Sequence, residues 1–429
     1  MNQIDRNRLF VASCLALLVT SLTFGIRAGV LLSQGEEFSL TAKELGTIVA
    51  TAFWGFPIAV IIGGMLVDII GMKKLLIVAF LFHLIGITMT IFAGGYWTLF
   101  ISTLLIGMAN GTVEAACNPL VTALYPEKKS IKLNHFHLWF PGGIFIGTLI
   151  VFAFNNWLGA AYWVKQVEVA VMIIPTLIYG YLFSRLRFPV TERVAAGVST
   201  GEMYKSLLHP LFIFMIICMF GTAITELFTG QWIDVLLSNI TDNAILILTI
   251  TTGVMVFGRG VASPILGKFS SQMVLLLSAI FSAIGLYILG NSSGEMLFVG
   301  AFIFGIGVCY FWPTMLGFVA ENLPKTGAVG INLMGGGGML AVSLYLIFMG
   351  GYYDKLLLKM LPPGAQLDEY LNAVDNSEMA AALLEAKVKA GPEIINTTLF
   401  IPIILIVAFL GLVIFMKNWK GEKGHALQH

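Results

Sequence analysis

The chain has 429 residues, of which 58% are hydrophobic and only 11% are charged, and its net charge is +1. Soluble domains have about 25% charged residues, so this composition excludes an ordinary soluble protein and indicates an integral membrane protein. The net charge of +1 also gives no electrostatic indication of nucleic-acid binding. The four cysteines lie in apolar segments without zinc-ligand spacing, so we expect no metal site.

Twelve apolar runs are each close to the roughly 20 residues that a helix needs to cross a bilayer. We therefore predict an all-α integral membrane protein with twelve transmembrane helices. The first run is too long for a signal-peptide core, so we expect it to remain as an uncleaved helix. In chain order the runs are 9–32, 45–67, 75–94, 97–124, 133–154, 163–184, 211–231, 244–267, 273–290, 296–320, 327–350 and 396–416.

Lysine and arginine are concentrated in alternate connections between these runs, for example at Lys73, Lys74, Lys128 and Lys129. Cytoplasmic loops carry such an excess of positive charge. We therefore expect a multi-pass protein of the cytoplasmic (inner) membrane with both termini in the cytoplasm.

Residues 185–210 form a long break that is polar, basic and rich in turn-forming residues. This break separates the first six runs from the last six, and a weak similarity at an offset of about 200 residues relates the two sets. We predict an N-terminal half at 1–184, a cytoplasmic central loop at 185–210 and a C-terminal half at 211–429.

The C-terminal half contains an external insertion at 351–395. A helix-favouring stretch there is followed by Gly391 and Pro392, a pair that commonly ends a helix, so we expect one short external helix. The insertion is either a simple solvated loop or an element for gating or partner binding.

Glu114 lies near the middle of the fourth run, with Asn110 and Asn118 one helical turn away on either side. Side chains at i, i+4 and i+8 share one face of a helix. A charged group at the bilayer centre costs at least ~2.5–3.5 kcal/mol, so such groups normally face a protein interior or a wet cavity. We therefore expect this face to line something polar, with Asn110 and Asn118 as candidate substrate contacts.

The turn after the second run, residues 64–74, reads GMLVDIIGMKK. This pattern, built from Gly64, Asp68, Gly71, Lys73 and Lys74, resembles the signature loop of the major facilitator superfamily. The resemblance implies a cytoplasmic gate in which glycine allows close helix approach and Asp68 accepts hydrogen bonds from the N-terminus of a facing helix. On the residues alone, a short turn held inside by positive charge is the other interpretation.

The fourth and fifth runs also resemble the fucose-permease-type sugar:proton symporters. The matching residues are Glu114, Ala115, Ala116, Asn118 and Pro119 in the fourth run, then Leu133 and Asn134 in the fifth. The superfamily resemblance spans nearly the whole chain, and this narrower one rests mainly on 111–143. It implies the major facilitator fold, with two pseudo-symmetric six-helix halves, and a role for Glu114 in proton coupling and sugar contact.

The first run departs from that family at 25–29, which reads GIRAG where the family typically has a carboxylate. Arg27 stays protonated and offers a planar set of donors suited to carboxylates or vicinal hydroxyls. It either binds an anionic substrate or biases the protonation of Glu114, and a third interpretation is an arginine that extends to the outer interface. At 1.5 Å per residue we place it roughly 10 Å above Glu114, so no direct salt bridge is expected.

Glu226 lies late in the seventh run, where three threonines share its face. The superfamily resemblance implies that the first, fourth, seventh and tenth helices line a central cavity, which places Glu226 opposite Glu114. The other interpretation is a glutamate near the interface that reaches solvent. Arg259 in the eighth run is nearer the cytoplasmic end, and we expect it to pack against loops.

Further candidates for substrate binding are amides and aromatic residues, because a sugar presents hydroxyls around apolar ring faces. Asn134 and Trp312 are such candidates, and so is Asn332, although the glycines after it equally indicate a close-packed helix. Glu226 and His137 are also candidate substrate contacts. His137 is the best candidate for a proton-carrying histidine because it follows Asn134 by almost one turn. His83 is isolated, and we expect a core or lipid-adjacent position for it.

These observations predict a secondary transporter, not an enzyme, that moves a monosaccharide-like solute by alternating access as a proton symporter. The alternatives are a symporter for an organic anion or sugar acid, with Arg27 as the anion ligand, and a drug efflux carrier. No cofactor is expected beyond the proton gradient, and sodium coupling stays open. The expected partners are a small-molecule substrate and the lipid bilayer but no nucleic acid, and we expect a functional monomer.

Overall fold

The computed structural model describes residues 4–38, 40, 42–159, 161–229, 244–371, 373 and 377–418, and its regular secondary structure in these ranges is helical. The prediction of an all-α protein is therefore confirmed. The membrane-spanning segments, which we call the first to twelfth spans, are Arg6–Glu37, Ala42–Ile70, Met72–Ile91, Tyr96–Leu124, Lys129–Leu158, Tyr162–Arg185, Pro210–Phe228, Ala244–Gly260, Ser271–Asn291, Met296–Asn322, Gly327–Met360 and Glu378–Asn418.

Within the described ranges, eleven of these spans are long and apolar enough to cross a bilayer. The remaining one, the eighth, is a shorter apolar helix that follows residues 230–243, which lie outside the described part of the chain. Eleven long spans and this one shorter helix agree with the expectation of about twelve transmembrane helices.

The fifth, sixth and tenth spans are each interrupted near their middle. The fifth consists of Lys129–His137 and Trp139–Leu158, the sixth of Tyr162–Ala170 and Ile173–Arg185, and the tenth of Met296–Val308 and Phe311–Asn322. In each case a proline, Pro141, Pro175 or Pro313, is the third residue of the second helix. Proline is tolerated there because the first turn of a helix has no internal partner for its N–H groups. These prolines therefore favour a new helix start inside an otherwise continuous apolar run.

The eleventh and twelfth spans extend well beyond a bilayer. They have 34 and 41 residues, which at 1.5 Å per residue gives about 51 and 61 Å, against a hydrocarbon core of about 30 Å. The expected short external helix ending at Gly391 and Pro392 is therefore wrong, because residues 378–391 form the first part of the last helix. Leu383, Ala386 and Ala390 are buried on one side of it, and this packed apolar stripe favours a continuous helix through the proline.

The first six spans pack mainly on one another, and so do the last six. The second and third spans pack on the fourth and the fifth packs on the first, while the ninth packs on both the tenth and the twelfth. The two sets meet where the second span contacts the eleventh and where the fifth contacts the eighth and the tenth. The exact boundaries of 1–184, 185–210 and 211–429 stay a prediction.

One face of the helix bundle carries a concentration of basic residues, and we call it the basic face. Lys73 at the start of the third span bonds to the end of the sixth, and Lys129 at the start of the fifth bonds to the end of the tenth. Between the sixth and seventh spans, the central loop crosses this face and contains two short helices, Glu192–Ala195 and Thr200–Ser206. The basic face is therefore the side on which the first span begins and the sixth ends.

Candidate functional site

Glu114 belongs to a buried polar cluster between the fourth and fifth spans. Asn118 Nδ2 donates a hydrogen bond to Glu114 Oε2 at 2.6 Å, one helical turn away. Asn118 Oδ1 lies 3.0 Å from His137 Nε2, and His137 Nδ1 lies 3.8 Å from Glu114 Oε1. The structure thus brings together three of the residues that the sequence indicated, and all three are buried.

This cluster is suited to holding and releasing a proton. A carboxylate is only an acceptor when charged and gains a donor when protonated, while a neutral imidazole has one donor and one acceptor nitrogen. Asn118 bonds both Glu114 and His137, so a proton gained by one of them alters the hydrogen bonds available to the other. We expected no salt bridge between Glu114 and Arg27, and the described contacts agree with this. The described side-chain partners of Glu114 are Asn118 and His137.

Arg259 extends the polar cluster across the interface between the two sets of spans. Its Nη1 donates to the main-chain oxygen of His137 at 2.9 Å, its Nη2 donates to Glu226 Oε1 at 2.8 Å, and its Nε donates to the oxygen of Cys309 at 2.7 Å. The side chain is only 1% exposed. The expectation that Arg259 packs against loops is therefore wrong, because its long side chain points inward and finds acceptors on three other spans.

Glu226 lies in a π-helical turn, Ile224–Phe228, which widens the end of the seventh span. Such turns commonly occur at functional sites. Glu226 is buried rather than reaching solvent, and its Oε2 has no hydrogen-bond partner among the described residues. The hydroxyl of Thr229, one helical turn further along, is buried and unpaired in the same way. This end of the seventh span therefore presents acceptor atoms that a ligand or a proton would satisfy.

Asn110 lies in a separate network from Glu114. Its Oδ1 lies 2.7 Å from His83 Nε2, its Nδ2 donates to Thr23 Oγ1 at 3.1 Å, and His83 Nδ1 lies 2.8 Å from the hydroxyl of Tyr179. All four residues are buried within the first six spans. The expected core position of His83 is confirmed, whereas the substrate role of Asn110 stays a prediction for a residue whose amide already has two protein partners.

Asn134 and Asn332 both lie where the two sets of spans meet. Asn134 Nδ2 donates to the oxygen of Ser130 at 2.9 Å and is 3.4 Å from Thr314 Oγ1 of the tenth span. Asn332 Nδ2 donates at 2.8 Å to the oxygen of Ala115, the residue after Glu114. The Oδ1 atom of each amide is buried without a described partner. Both side chains therefore retain an acceptor for a further group.

Trp312 packs against the glycine-rich part of the eleventh span. A Cβ atom at Gly338 would lie 3.2 Å from its ring, and one at Gly335 would lie 3.7 Å away. The glycines thus make room for a buried indole, which agrees with the close-packing interpretation of this run.

Arg27 lies in an aromatic environment near the far end of the first span. Its guanidinium is 5.1 Å from the centre of the Phe24 ring, and Phe24 in turn contacts the rings of Phe53 and Phe140. Such a stack is favourable for a cation and holds the guanidinium in place. The role of Arg27 towards a substrate stays a prediction.

The signature loop packs against the central loop on the basic face. Arg193 Nε donates to Asp68 Oδ2 at 2.7 Å, and the Thr191 hydroxyl donates to Asp68 Oδ1. We expected Asp68 to accept hydrogen bonds from the N-terminus of a facing helix, and both donors stand there, as side chains at the start of the short helix Glu192–Ala195. Lys73 donates to the oxygens of Ser184 and Leu186, where the sixth span ends, while Lys74 is exposed.

The structure explains why glycine occupies both positions 64 and 71 of the signature loop. Gly71 has φ 86°, a conformation that glycine adopts readily, and it forms the sharp turn into the third span. Gly64 touches the eleventh span, since a Cβ there would lie 2.6 Å from Cβ of Asn332. The predicted close helix approach at Gly64 is therefore present.

A second group of contacts closes the basic face, and sequence reasoning did not find it. Lys129 Nζ donates to Glu192 Oε2 at 2.8 Å and to the oxygen of Ala320 at 3.1 Å. Glu321 accepts two hydrogen bonds from Ser130, at 3.1 Å from the N–H and 2.6 Å from the hydroxyl. Burial raises the pKa of the Glu192 carboxyl, and Lys129 partly offsets this. The two sets of spans are thus joined at this face through charged side chains.

Comparison with known families agrees with this architecture. The sequence profile of the Major Facilitator Superfamily matches residues 9–242, more than half of the chain. The chain belongs to the major facilitator superfamily. Members of this superfamily are membrane transporters rather than enzymes.

Similar curated proteins within the superfamily include sugar transporters and a drug pump. The D-xylose transporter of Levilactobacillus brevis is 23% identical over 38% of this chain and 36% of its own length. The galactose-proton symporter of Escherichia coli (strain K12) is 26% identical over 42% and 41%. The multidrug resistance efflux pump PmrA of Streptococcus pneumoniae is 24% identical over 62% and 68%. The chain thus spans only about a third of the first of these relatives.

Solved structures of other superfamily members share the fold. The E. coli fucose:proton symporter FucP has 16% identity and a TM-score of 0.67, covering 92% of this chain and 98% of that one. A bacterial homologue of the human lysosomal transporter Spinster has 15% identity and a TM-score of 0.71, covering 98% and 100%. At these identities the similarity establishes the major facilitator fold alone.

Proposed function

We propose that the protein is a proton symporter that carries a monosaccharide-like solute across the cytoplasmic membrane by alternating access. The substrate would lie near mid-membrane between the two sets of six spans, as in other transporters built from repeats. In this proposal the basic face is cytoplasmic, because positive charge concentrates on the cytoplasmic side of membrane proteins.

The observation that carries the proposal is a series of buried polar contacts from Glu114 to Glu226. The His137 ring contacts Asn118 and Glu114, while the His137 main-chain oxygen accepts from Arg259, which pairs with Glu226. This series joins two carboxyl groups on opposite sides of the interface between the sets of spans. Buried polar groups are expensive in a membrane and are kept where they have a function. A series of contacts that crosses the moving interface is suited to linking protonation with movement.

Glu114 is the proposed coupling residue. It would be neutral when the site is closed to water, because burial disfavours a charged carboxylate, and it would release its proton when the site opens to the cytoplasm. A proton gradient would then drive the cycle in one direction, since Glu114 loads on the outside and unloads on the inside. His137 would adjust with Glu114 through Asn118.

The proposed substrate contacts are the buried acceptors at the interface. Glu226, Asn134 and Asn332 each retain an unpaired oxygen, and sugar hydroxyls are donors that would satisfy such oxygens. Trp312 supplies an apolar aromatic surface in the same region. Acceptor oxygens favour a neutral polyhydroxylated solute over an anion.

A second candidate is a symporter for an organic anion or sugar acid. Arg27 favours it, because a guanidinium held over the Phe24 ring presents donors suited to a carboxylate. Arg259 does not add to this argument, because Glu226 already neutralises it. A drug efflux carrier fits the series of buried polar contacts less well.

The test is uptake of radiolabelled hexoses and their uronic acids into proteoliposomes under separately imposed proton and sodium gradients. The proposal expects concentrative uptake of a neutral hexose with the proton gradient and none with sodium. Uptake of uronates but not hexoses would favour the second candidate. Transport driven by sodium alone would contradict proton coupling.

A further inference from the structure

Arg259 donates hydrogen bonds to both sets of spans: two of its acceptors lie in its own set, and one lies in the other set. Glu226 and Cys309 belong to the seventh and tenth spans, which lie in the same set as Arg259 itself. The third acceptor, the main-chain oxygen of His137, belongs to the fifth span in the other set. If the two sets move apart as rigid bodies, the first two bonds travel with Arg259 and only the bond to His137 must break.

His137 occupies a special position in the fifth span. It is the last residue of the helix Lys129–His137, and only Leu138 separates it from the helix Trp139–Leu158. The eighth span packs against this break, since a Cβ at Gly260 would lie 3.5 Å from the side chain of Leu138. Arg259 therefore bonds the fifth span at the point where its helix is interrupted.

The same residue also reaches the coupling carboxylate. The ring of His137 bonds Asn118 and lies beside Glu114, while its main-chain oxygen accepts from Arg259. A change in the Glu114 cluster that shifts His137 must therefore alter the Arg259 bond as well. A charged donor makes this bond stronger than one between neutral groups.

We propose that Arg259 is a positioning residue that holds the basic face closed through its hydrogen bond to the His137 main-chain oxygen. The ion pair with Glu226 keeps the guanidinium aimed across the interface. This inference rests on the proposed alternating-access function, and it assigns to Arg259 the link between the Glu114 cluster and the position of the two sets of spans.

The experiment measures how fast a cysteine at Thr122 reacts with a membrane-impermeant maleimide applied from the basic face. Thr122 is 1% exposed and lies in a small cavity with Ala320, Leu323 and Glu192, so it becomes accessible when this face opens. The measurement uses the full chain in proteoliposomes without substrate or ion gradient. Its outcome therefore does not depend on whether a sugar is transported.

Arg259→Gln in the Thr122→Cys background is expected to raise the labelling rate about tenfold, the effect of losing one hydrogen bond from a charged donor. Arg259→Lys keeps the charge but loses the planar set of donors, so it should also raise the rate. Arg185→Gln, which removes an exposed arginine, should leave it unchanged. Lys74→Cys is exposed and should label equally in every variant.

An unchanged labelling rate in both Arg259 variants, with folding verified by thermal unfolding, would overturn the inference. Where Arg259→Gln alone fails to fold, the double variant Glu226→Gln/Arg259→Gln replaces the buried charges by amides and answers the same question. A failure of sugar uptake in the wild-type protein would count against the proposed function alone.

Discussion

Arg259 and Glu226 form an ion pair within the membrane-spanning core, with 2.8 Å between Nη2 and Oε1 and both side chains at most 7% exposed. The two residues are 33 positions apart and lie on different spans. Removing one partner of a buried pair leaves an uncompensated charge, which is far more costly than removing both.

We therefore expect Glu226→Ala to lower the free energy of unfolding by about 3–5 kcal/mol, and Glu226→Ala/Arg259→Met to lower it less. The measurement is thermal and denaturant unfolding in detergent. The matched control is Glu385→Ala, which breaks the exposed pair with Lys389 and should cost about 0–1 kcal/mol. Equal effects at both pairs would show that the Arg259–Glu226 contact is not a buried charge pair.

We expect substitutions of the two buried histidines, His83 and His137, to have different effects. His83 bonds Asn110 and Tyr179 and has no contact with the Glu114 cluster among the described hydrogen bonds, whereas His137 bonds Asn118. His83→Phe should destabilise the protein by about 1–3 kcal/mol per unsatisfied partner while the pH profile of uptake keeps its midpoint.

His137→Gln should instead displace the pH midpoint of uptake, because it removes the ring that bonds Asn118 and lies beside Glu114. The comparison needs uptake rates from about pH 5 to 8 together with unfolding midpoints for both variants. A displaced midpoint in His83→Phe and none in His137→Gln would reverse the assignment.

The second and eleventh spans approach each other closely at Gly64, so we expect one added methyl group there to change the conformation of the protein. Gly64→Ala would place Cβ 2.6 Å from Cβ of Asn332, so the second and eleventh spans must separate. We expect at least a threefold faster labelling of Thr122→Cys from the basic face, since strain of this kind costs about 1–3 kcal/mol.

Gly253→Ala is the matched control, because Gly253 is also a glycine inside a membrane helix and a Cβ there meets nothing within 4 Å. It should leave the labelling rate unchanged and slightly favour the helix, by up to about 1 kcal/mol. If both variants labelled at the wild-type rate, the contact at Gly64 would not limit opening of the basic face.

The sequence was sufficient for features that depend on local patterns. Apolar runs of about 20 residues predicted the spans, and the i, i+4 spacing of Glu114 and Asn118 predicted the hydrogen bond between them. The spacing of Gly64 and Asp68 predicted that both residues lie near the turn between the second and third spans, at the basic face. In each case the interacting residues are close in sequence or belong to a fixed pattern.

Contacts between distant segments could not be predicted in the same way. The partners of Arg259 depend on which way its long side chain turns, and depth along the eighth span alone favoured the loops. Lys129 and Glu192, 63 residues apart, looked like ordinary charges of a cytoplasmic face. The interruption at Leu138 had one usable signal, the nearby Pro141, because proline is tolerated in the first turn of a helix and so favours a new helix start just before it.

Proton-driven uptake by the wild-type protein and Glu114→Gln is the decisive measurement, made in proteoliposomes with a hexose that the wild type concentrates. Glu385→Gln, an exposed carboxylate change, is the control. Glutamine keeps the size of Glu114 and, like its protonated form, has one acceptor oxygen and a donor group, but it cannot exchange a proton. We expect Glu114→Gln to lose concentrative uptake while it retains exchange of substrate across the membrane. Undiminished proton-driven uptake by Glu114→Gln would contradict the assignment of Glu114 as the coupling residue.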